Sequence, residues 1–154
     1  MSLYTKDHLL DGQIVYFQPK LGYRSGIEPI ILASQAKASD LNILDLGAGC
    51  GPISLILAYR FPNSNIIGIE KNNIHYNLAL KNKKENNFIN LKYFNKDVGQ
   101  FHGQFDNFFD LILTNPPFFF ENAVIKSSIP SIRDAKYITK KKLDLWFQSL
   151  FTYL

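Results

Sequence analysis

At 154 residues, 46% of them hydrophobic and 14% aromatic, the chain has the length of one domain and enough apolar side chain for a core. It contains no run of about 18 uncharged apolar residues, so no transmembrane helix is expected, and its start, MSLYTKDHLLDG, lacks the basic-then-apolar order of a secretion signal. The single cysteine, Cys50, excludes an internal disulfide and fits a reducing, cytoplasmic setting, while the net charge of +4 suits an acidic partner such as RNA. His8, His75 and His102 show no metal-ligand spacing, so no metal is expected.

Residues 9–19, LLDGQIVYFQP, predict a hairpin with a two-residue turn at Asp11-Gly12, where positive φ is tolerated. Ile14, Tyr16 and Gln18 share one face, Val15 and Phe17 the other. Gly22 and Gly26 punctuate the loop that follows, and a helix over 27–36 carries Pro29 in its first turn. The string NILDLGAGCG opens as a short apolar strand through Ile43, Leu44 and Leu46, then reaches Gly47, Gly49 and Gly51. A helix over 52–61 follows and stops at Pro62-Asn63. Strand, glycine loop and helix in that order make a nucleotide-binding turn, because bare main chain and a helix N-terminus face the ligand. The G-x-G-x-G spacing differs from the dinucleotide G-x-G-x-x-G fingerprint, and an ordinary strand-to-helix turn is the plain alternative. Cys50 reads as a small residue filling that loop, since no base is near it in sequence.

A second strand over 64–70 ends on Glu70, about twenty residues past the glycines, where a carboxylate can accept both hydroxyls of a ribose. A polar helix over 72–85 and a third strand over 89–94 come next, followed by Asp97 and a loop. The fourth strand, 109–114, runs into Asn115-Pro116-Pro117-Phe118. The last stretch, 143–154, is an amphipathic helix with Leu143, Trp146, Phe147 and Leu150 at helical spacing, and Trp146 reads as a sheet-covering residue. Strands alternating with helices predict a parallel sheet with right-handed crossovers. Asp45 with its loop, Glu70, Asp97 and Asn115 then stand at successive carboxyl ends, where open α/β sheets bind ligands.

The DLGAGCG string closely resembles motif I of class I S-adenosylmethionine-dependent methyltransferases. That resemblance implies a Rossmann-like α/β fold in which the four strands, counted from the glycine-loop strand, lie in the order 3-2-1-4. It implies one domain in which an N-terminal hairpin and helix, 1–36, close over the cofactor and 37–154 form the cofactor-binding core. S-adenosylmethionine is the implied cofactor. Gly47, Ala48, Gly49 and Gly51 are assigned to its methionine and ribose part, and Asp45 to a hydrogen bond, often through water, from its ammonium side. Glu70 with Lys71 matches motif II, the ribose residues; Asp97 falls at the adenine amine, with Val98 beside the ring. The segment before motif I resembles the "QP…GYR.G.D..LLA" pattern of the bacterial valine-tRNA N6-adenine methyltransferases. It matches at Gln18, Pro19, Gly22, Tyr23, Arg24 and Gly26, with Glu28 where Asp is usual. In that family the loop closes over the cofactor, which implies that Glu28 reaches the methionine ammonium and Arg24 its carboxylate or substrate phosphates. A local Arg24–Glu28 ion pair capping the helix is the alternative.

Asn115-Pro116-Pro117-Phe118 resembles motif IV of amino methyltransferases that act on planar nitrogens. An exocyclic amine on adenine is a poor nucleophile because its lone pair is delocalised into the ring. Two acceptors, the Asn115 amide oxygen and the Pro116 carbonyl, can orient it, while Pro116 and Pro117 fix the carbonyl's direction and Phe118 offers a stacking ring. Phe119 and Phe120 line the substrate pocket or pack in the core. Arg133, Lys136, Lys140, Lys141 and Lys142 face a lone Asp134 over 127–142, which makes this stretch the candidate for RNA phosphate contact, a solvated face being the alternative. The substrate expected is RNA, a valine-type tRNA. Glutamine-N5 methylation of release factors, rRNA guanine-N2 methylation, and a cofactor- or RNA-binding remnant without turnover are the other readings. The family continues for three further strands, so the chain reads as a truncated member. Its fourth strand then presents an open apolar edge at Leu111 and Leu113 for self-association.

Overall fold

The computed structural model describes residues 3–98, 105–116, 119–120 and 137–154, with the backbone alone at 119, 120 and 137. Strands β1 (Tyr4–Leu9) and β2 (Ile14–Pro19) form an antiparallel hairpin. Then come α1 (Glu28–Ser34), β3 (Asn42–Leu46), α2 (Pro52–Arg60), β4 (Asn65–Ile69), α3 (Asn73–Glu85), β5 (Leu91–Phe94) and β6 (Leu111–Thr114). A short parallel pair, β7 (Phe119–Phe120) with β8 (Tyr137–Ile138), precedes the last helix, α4 (Lys140–Tyr153). The central sheet is parallel and ordered β5-β4-β3-β6, which is the expected 3-2-1-4 arrangement.

Side chains alternate across this sheet as a pleat requires. Ile43, Ile66, Leu91 and Leu113 face the layer built by α1, α2, α3 and the hairpin. Leu44, Leu46, Ile67 and Ile69 face α4, where Trp146, Leu150 and Tyr153 pack beside Val98 and Phe109. Helix α2 is buried from Pro52 through Ala58, because α1 and the hairpin cover the side turned away from the sheet. Among the described residues strand β6 is the last of this sheet; its Leu113 is buried and its Leu111 half-buried, so neither side chain is exposed as an apolar edge.

The hairpin departs from the expected two-residue turn. Leu9 pairs with Ile14, and the loop holds four residues closed by Gln13 N–H donating to Leu10 O at 3.1 Å. Asp11 and Gly12 do take positive φ, but so does Leu10 at +48°, which lengthens the turn. Strand β1 also begins earlier than the expected hairpin, at Tyr4, and β5 begins later than the expected residue 89, at Leu91, with Ile89 left 92% exposed.

The outer edge of β2 is closed by a helix instead of a strand. Asn82 Oδ1 accepts Phe17 N–H at 2.6 Å, and its amide donates to Phe17 O and Cys50 O, both at 2.9 Å. One turn on, Asn86 Oδ1 accepts Val15 N–H at 2.8 Å and its amide donates to Val15 O at 2.7 Å. The two asparagines replace the ladder that a neighbouring strand would supply, and Asn82 also ties the glycine loop to the hairpin. Asn82→Ala leaves three buried backbone groups without partners. It is expected to lower the free energy of unfolding by about 3 kcal/mol or more in chemical denaturation, with hydrogen-exchange protection lost first at Phe17, while Val15 keeps its Asn86 acceptor.

Candidate functional site

Strand register assembles the site. Leu46 pairs with Ile69 on one side and Thr114 on the other, and Ile69 pairs with Phe94. The next residue of each strand, Gly47, Glu70, Asn95 and Asn115, therefore leaves the sheet beside its neighbours at the carboxyl edge. The N–H groups of Gly47 and Ala48 both donate to Ile69 O, at 3.0 and 2.8 Å, which turns the glycine loop across β4.

Gly51 caps α2 with φ +85°, and a Cβ there would collide with the Tyr93 hydroxyl. Either fact excludes a larger residue. Gly49, at φ +59°, has open space where a side chain would stand, so its main chain is bare to a ligand. Its N–H donates to Glu70 Oε2 at 2.8 Å, and Asn72 N–H donates to Glu70 Oε1 at 2.6 Å. Glu70 is buried, holds one backbone donor on each oxygen, and keeps further lone pairs for hydroxyl donors. The Asn95 amide donates to Glu70 O at 2.8 Å and secures the same strand end.

Asp45 lies fully buried beneath the loop. Its Oδ2 accepts the Ser54 N–H at 3.0 Å and the Ser54 hydroxyl, and Oδ1 has no partner among the described residues. Burial is the main influence on its acidity; the Ser54 bonds oppose it, the Glu70 charge adds to it, and the carboxyl is pushed up to about 7. Cys50 is buried too, and burial, reinforced by Glu70, pushes its thiol up to about 12. A thiol so reluctant to ionise is a loop filler and not a nucleophile.

A narrow recess of about 40 Å³ opens between the glycine loop and the N-terminal segment. Gly47, Ala48, Gly49 and Cys50 form one wall, Tyr16, Tyr23, Ser25 and Pro29 another, and Asn115 and His75 complete it. Burial pushes the Tyr23 phenol up, the Glu28 carboxylate pushes it further, and the adjacent Asn115 amide works against both. Burial holds the His75 imidazole below its ordinary value, against the pull of Glu70. The loop carrying Tyr23 is clasped to the hairpin. Arg24 pairs with Asp7 at 3.0 Å and donates to Thr5 Oγ1 and Pro19 O, while Ser25 N–H donates to Gln18 Oε1 at 3.1 Å. Arg24 thus has Asp7 as its partner instead of Glu28.

The recess unites Gly47, Ala48, Gly49 and Asn115 from the expected set, and Glu70 joins them through Gly49. Other expected residues stand apart from its lining. Glu28 is exposed and folds back over Gly26; Lys71 and Asp97 are exposed; Val98 is buried on the α4 side, its carbonyl accepting the Tyr153 hydroxyl at 3.0 Å. Pro116 is half-buried directly after Asn115. Lys140, Lys141 and Lys142 are exposed in the first turn of α4. Pro117, Phe118, Arg133 and Lys136 lie outside the described residues. Tyr16, Ser25 and His75 were not legible as site residues, because their contacts cross between elements; for His75 the only local cue is a place one turn into the helix after Glu70. Among the described residues no group of three or more His, Cys, Asp or Glu is placed to hold a metal, and no helix is long and apolar enough to cross a membrane.

The weakened acidity of Asp45 fixes the sign of a pH effect. Between its ordinary 3.8 and its folded value of about 7, the unfolded chain is ionised there and the folded chain is protonated. Stability from this group is full at low pH and is lost as pH rises through about 7. Asp45→Asn keeps an acceptor for Ser54 without the charge. Its stability relative to wild type should rise between pH 4 and 7, by about 4 kcal/mol at most, in urea melts run across that range.

Residues 29–147 match the family model of the methyltransferase small domain. A tRNA1(Val) (adenine(37)-N6)-methyltransferase of Flavobacteriaceae bacterium (strain 3519-10) is 35% identical over 137 residues, 88% of this chain and 54% of that protein. A release factor glutamine methyltransferase of Buchnera aphidicola subsp. Acyrthosiphon pisum (strain APS) is 39% identical over 85 residues, 55% of this chain and 30% of that protein. The solved structure of P. horikoshii TYW2 in complex with MeSAdo superposes with a TM-score of 0.59 at 25% identity, covering 87% of this chain and 49% of that one. The chain therefore spans about half the length, 54%, of the Flavobacteriaceae relative. With the family model matching most of its length, and with the glycine loop and Asn115 on one recess, the chain belongs to the methyltransferase small domain family.

Proposed function

We propose that the chain is the cofactor- and amine-binding part of an S-adenosylmethionine-dependent methyltransferase acting on adenine N6 in RNA, a valine-type tRNA, in the cytoplasm. The observation that carries this reading is that Asn115 and the glycine loop line the same recess from neighbouring strand ends. The name of the Flavobacteriaceae relative, matched over 88% of this chain, supports the substrate, and the MeSAdo bound by the P. horikoshii protein supports an adenosyl-sulfur ligand.

The residues present fit that cofactor. Glu70 has lone pairs for two ribose hydroxyls, Gly49 leaves main chain bare beside it within the turn formed by Gly47, Ala48 and Gly51, and Lys71 follows at the rim. Asp45, whose Oδ1 has no partner among the described residues, becomes a counter-charge beneath the loop once a cationic ligand favours its ionised form. Asp97 and Val98 take the adenine end. Glu28 and Arg24 serve the amino acid end, Arg24 by exchanging Asp7 for a carboxylate. Residues 1–36 close over the cofactor, and the loop carrying Tyr23 must part from Asn115 to admit it, because about 40 Å³ holds only a few waters. When bound, S-adenosylmethionine supplies a methyl group on a positively charged sulfur.

The chain's own work is orientation. The Asn115 amide oxygen and the Pro116 carbonyl accept the two N–H bonds of the exocyclic amine and localise its lone pair toward the incoming methyl group. Pro117 and Phe118 continue this grip, the ring stacking on the base. An anticodon-loop base is easier to present than one inside a duplex. Lys140, Lys141 and Lys142 stand at a helix N-terminus, the end where the helix dipole disfavours cations by about 0.3–1 kcal/mol each. Phosphate contact, shared with Arg133 and Lys136, gives that arrangement a use. Self-association through the β6 edge belongs to the same reading. Glutamine methylation of a release factor is the second reading, favoured by the 39% identity to the Buchnera protein.

Incubation with methyl-labelled cofactor and unmodified tRNA, followed by nucleoside mapping, tests the proposal. Label is expected in N6-methyladenosine, and Asn115→Ala should lower incorporation about 100-fold or more. Label confined to protein, or an Asn115→Ala variant as active as wild type, contradicts it.

A further inference from the structure

The chain's one tryptophan stands against the glycine loop. A Cβ on Gly47 would come within 2.7 Å of Trp146 Cη2, so the indole edge touches the Gly47 main chain. The indole N–H donates to Thr114 Oγ1 at 3.0 Å, and the Thr114 hydroxyl donates to Leu46 O at 2.7 Å. Leu46 immediately precedes Gly47, and Thr114 immediately precedes Asn115. One side chain from α4 thus contacts the cofactor loop directly. Through one hydroxyl it also reaches the ends of both strands that carry the site.

Packing alone does not call for this arrangement. A Phe would cover the sheet beside Leu150 and Tyr153, and a Val at 114 would suit a strand at least as well. A half-buried indole N–H needs an acceptor, and the Thr114 hydroxyl is both that acceptor and a donor across the β3–β6 pair. The polar atoms are specified beyond the needs of the core.

We propose that Trp146 and Thr114 are positioning residues that couple the glycine loop to Asn115. A ligand that settles on Gly47 presses on the indole, the indole N–H holds the Thr114 hydroxyl, and Thr114 sets the direction in which Asn115 leaves β6. This inference rests on the amino-methyltransferase reading above. It adds two residues that the motif pattern does not contain.

Because Trp146 is alone, intrinsic fluorescence of the full chain reports on this contact without any turnover. Titration with S-adenosylhomocysteine should change the emission saturably, with the Kd found by calorimetry, and the change should shrink in Thr114→Val. In tRNA methylation, Trp146→Phe and Thr114→Val should each lower turnover about tenfold while the Kd for S-adenosylhomocysteine moves less than about twofold. The double variant should be no worse than either single one, and Thr114→Ser should recover most of the rate. Binding seen by calorimetry with no change in emission, or losses that multiply in the double variant, overturns the coupling and leaves the cofactor reading standing. If S-adenosylhomocysteine binds but no RNA is methylated, the substrate reading falls and the emission titrations alone decide the coupling. A calorimetric blank removes the cofactor reading and the coupling together.

Discussion

The register of four parallel strands is the constraint on which everything else depends. Phe94, Ile69, Leu46 and Thr114 form one row across the sheet, fixed by ladder pairing and by apolar faces that a one-residue slip would turn over. Because the row is straight, the residue after each strand emerges at the same level as its neighbours. A glycine turn, a carboxylate and a side-chain amide become neighbours although up to 68 residues separate Gly47 from Asn115. The loop is then stitched to the row by Gly47 and Ala48 N–H on Ile69 O and by Gly49 N–H on Glu70.

This geometry gathers negative charge where little water reaches. Glu70 is stabilised by two backbone donors, and its charge discourages ionisation of Asp45 and Cys50. Asp45 is the group left undecided, with one oxygen used to cap α2 and the other unpartnered among the described residues. Such a site favours a ligand that brings hydroxyl donors to Glu70 and positive charge to its neighbourhood, for reasons of desolvation and not of shape alone. The lysines of α4 are not among the residues that line this recess.

The parts of this site legible in sequence are those set by local backbone chemistry. Alternating glycines announced the turn, the spacing to Glu70 came from one strand–helix–strand unit, and Asn115 was placed by the strand before it. The parts that were not legible depend on contacts between distant elements. Asn82 and Asn86 look like ordinary polar helix residues until the hairpin edge is set beside them. Tyr16, Ser25 and His75 gain meaning only when the hairpin, the loop and α3 are folded around the glycines. Trp146 was expected on the sheet, and it is there, but nothing in the helical pattern of α4 indicated its place against Gly47. Asp11-Gly12 shows the limit within a single turn: the favoured dipeptide takes the expected φ, yet Leu10 joins it and the register changes.

The central claim is that Glu70 and the glycine loop form one wall of a cofactor site. Calorimetry of S-adenosylhomocysteine binding to the wild-type chain and to Glu70→Gln tests it most directly. The account predicts saturable one-to-one binding to the wild type and an affinity at least about tenfold weaker for Glu70→Gln, the loss of charge-assisted hydrogen bonds to ribose hydroxyls. Equal affinities in the two proteins would contradict it.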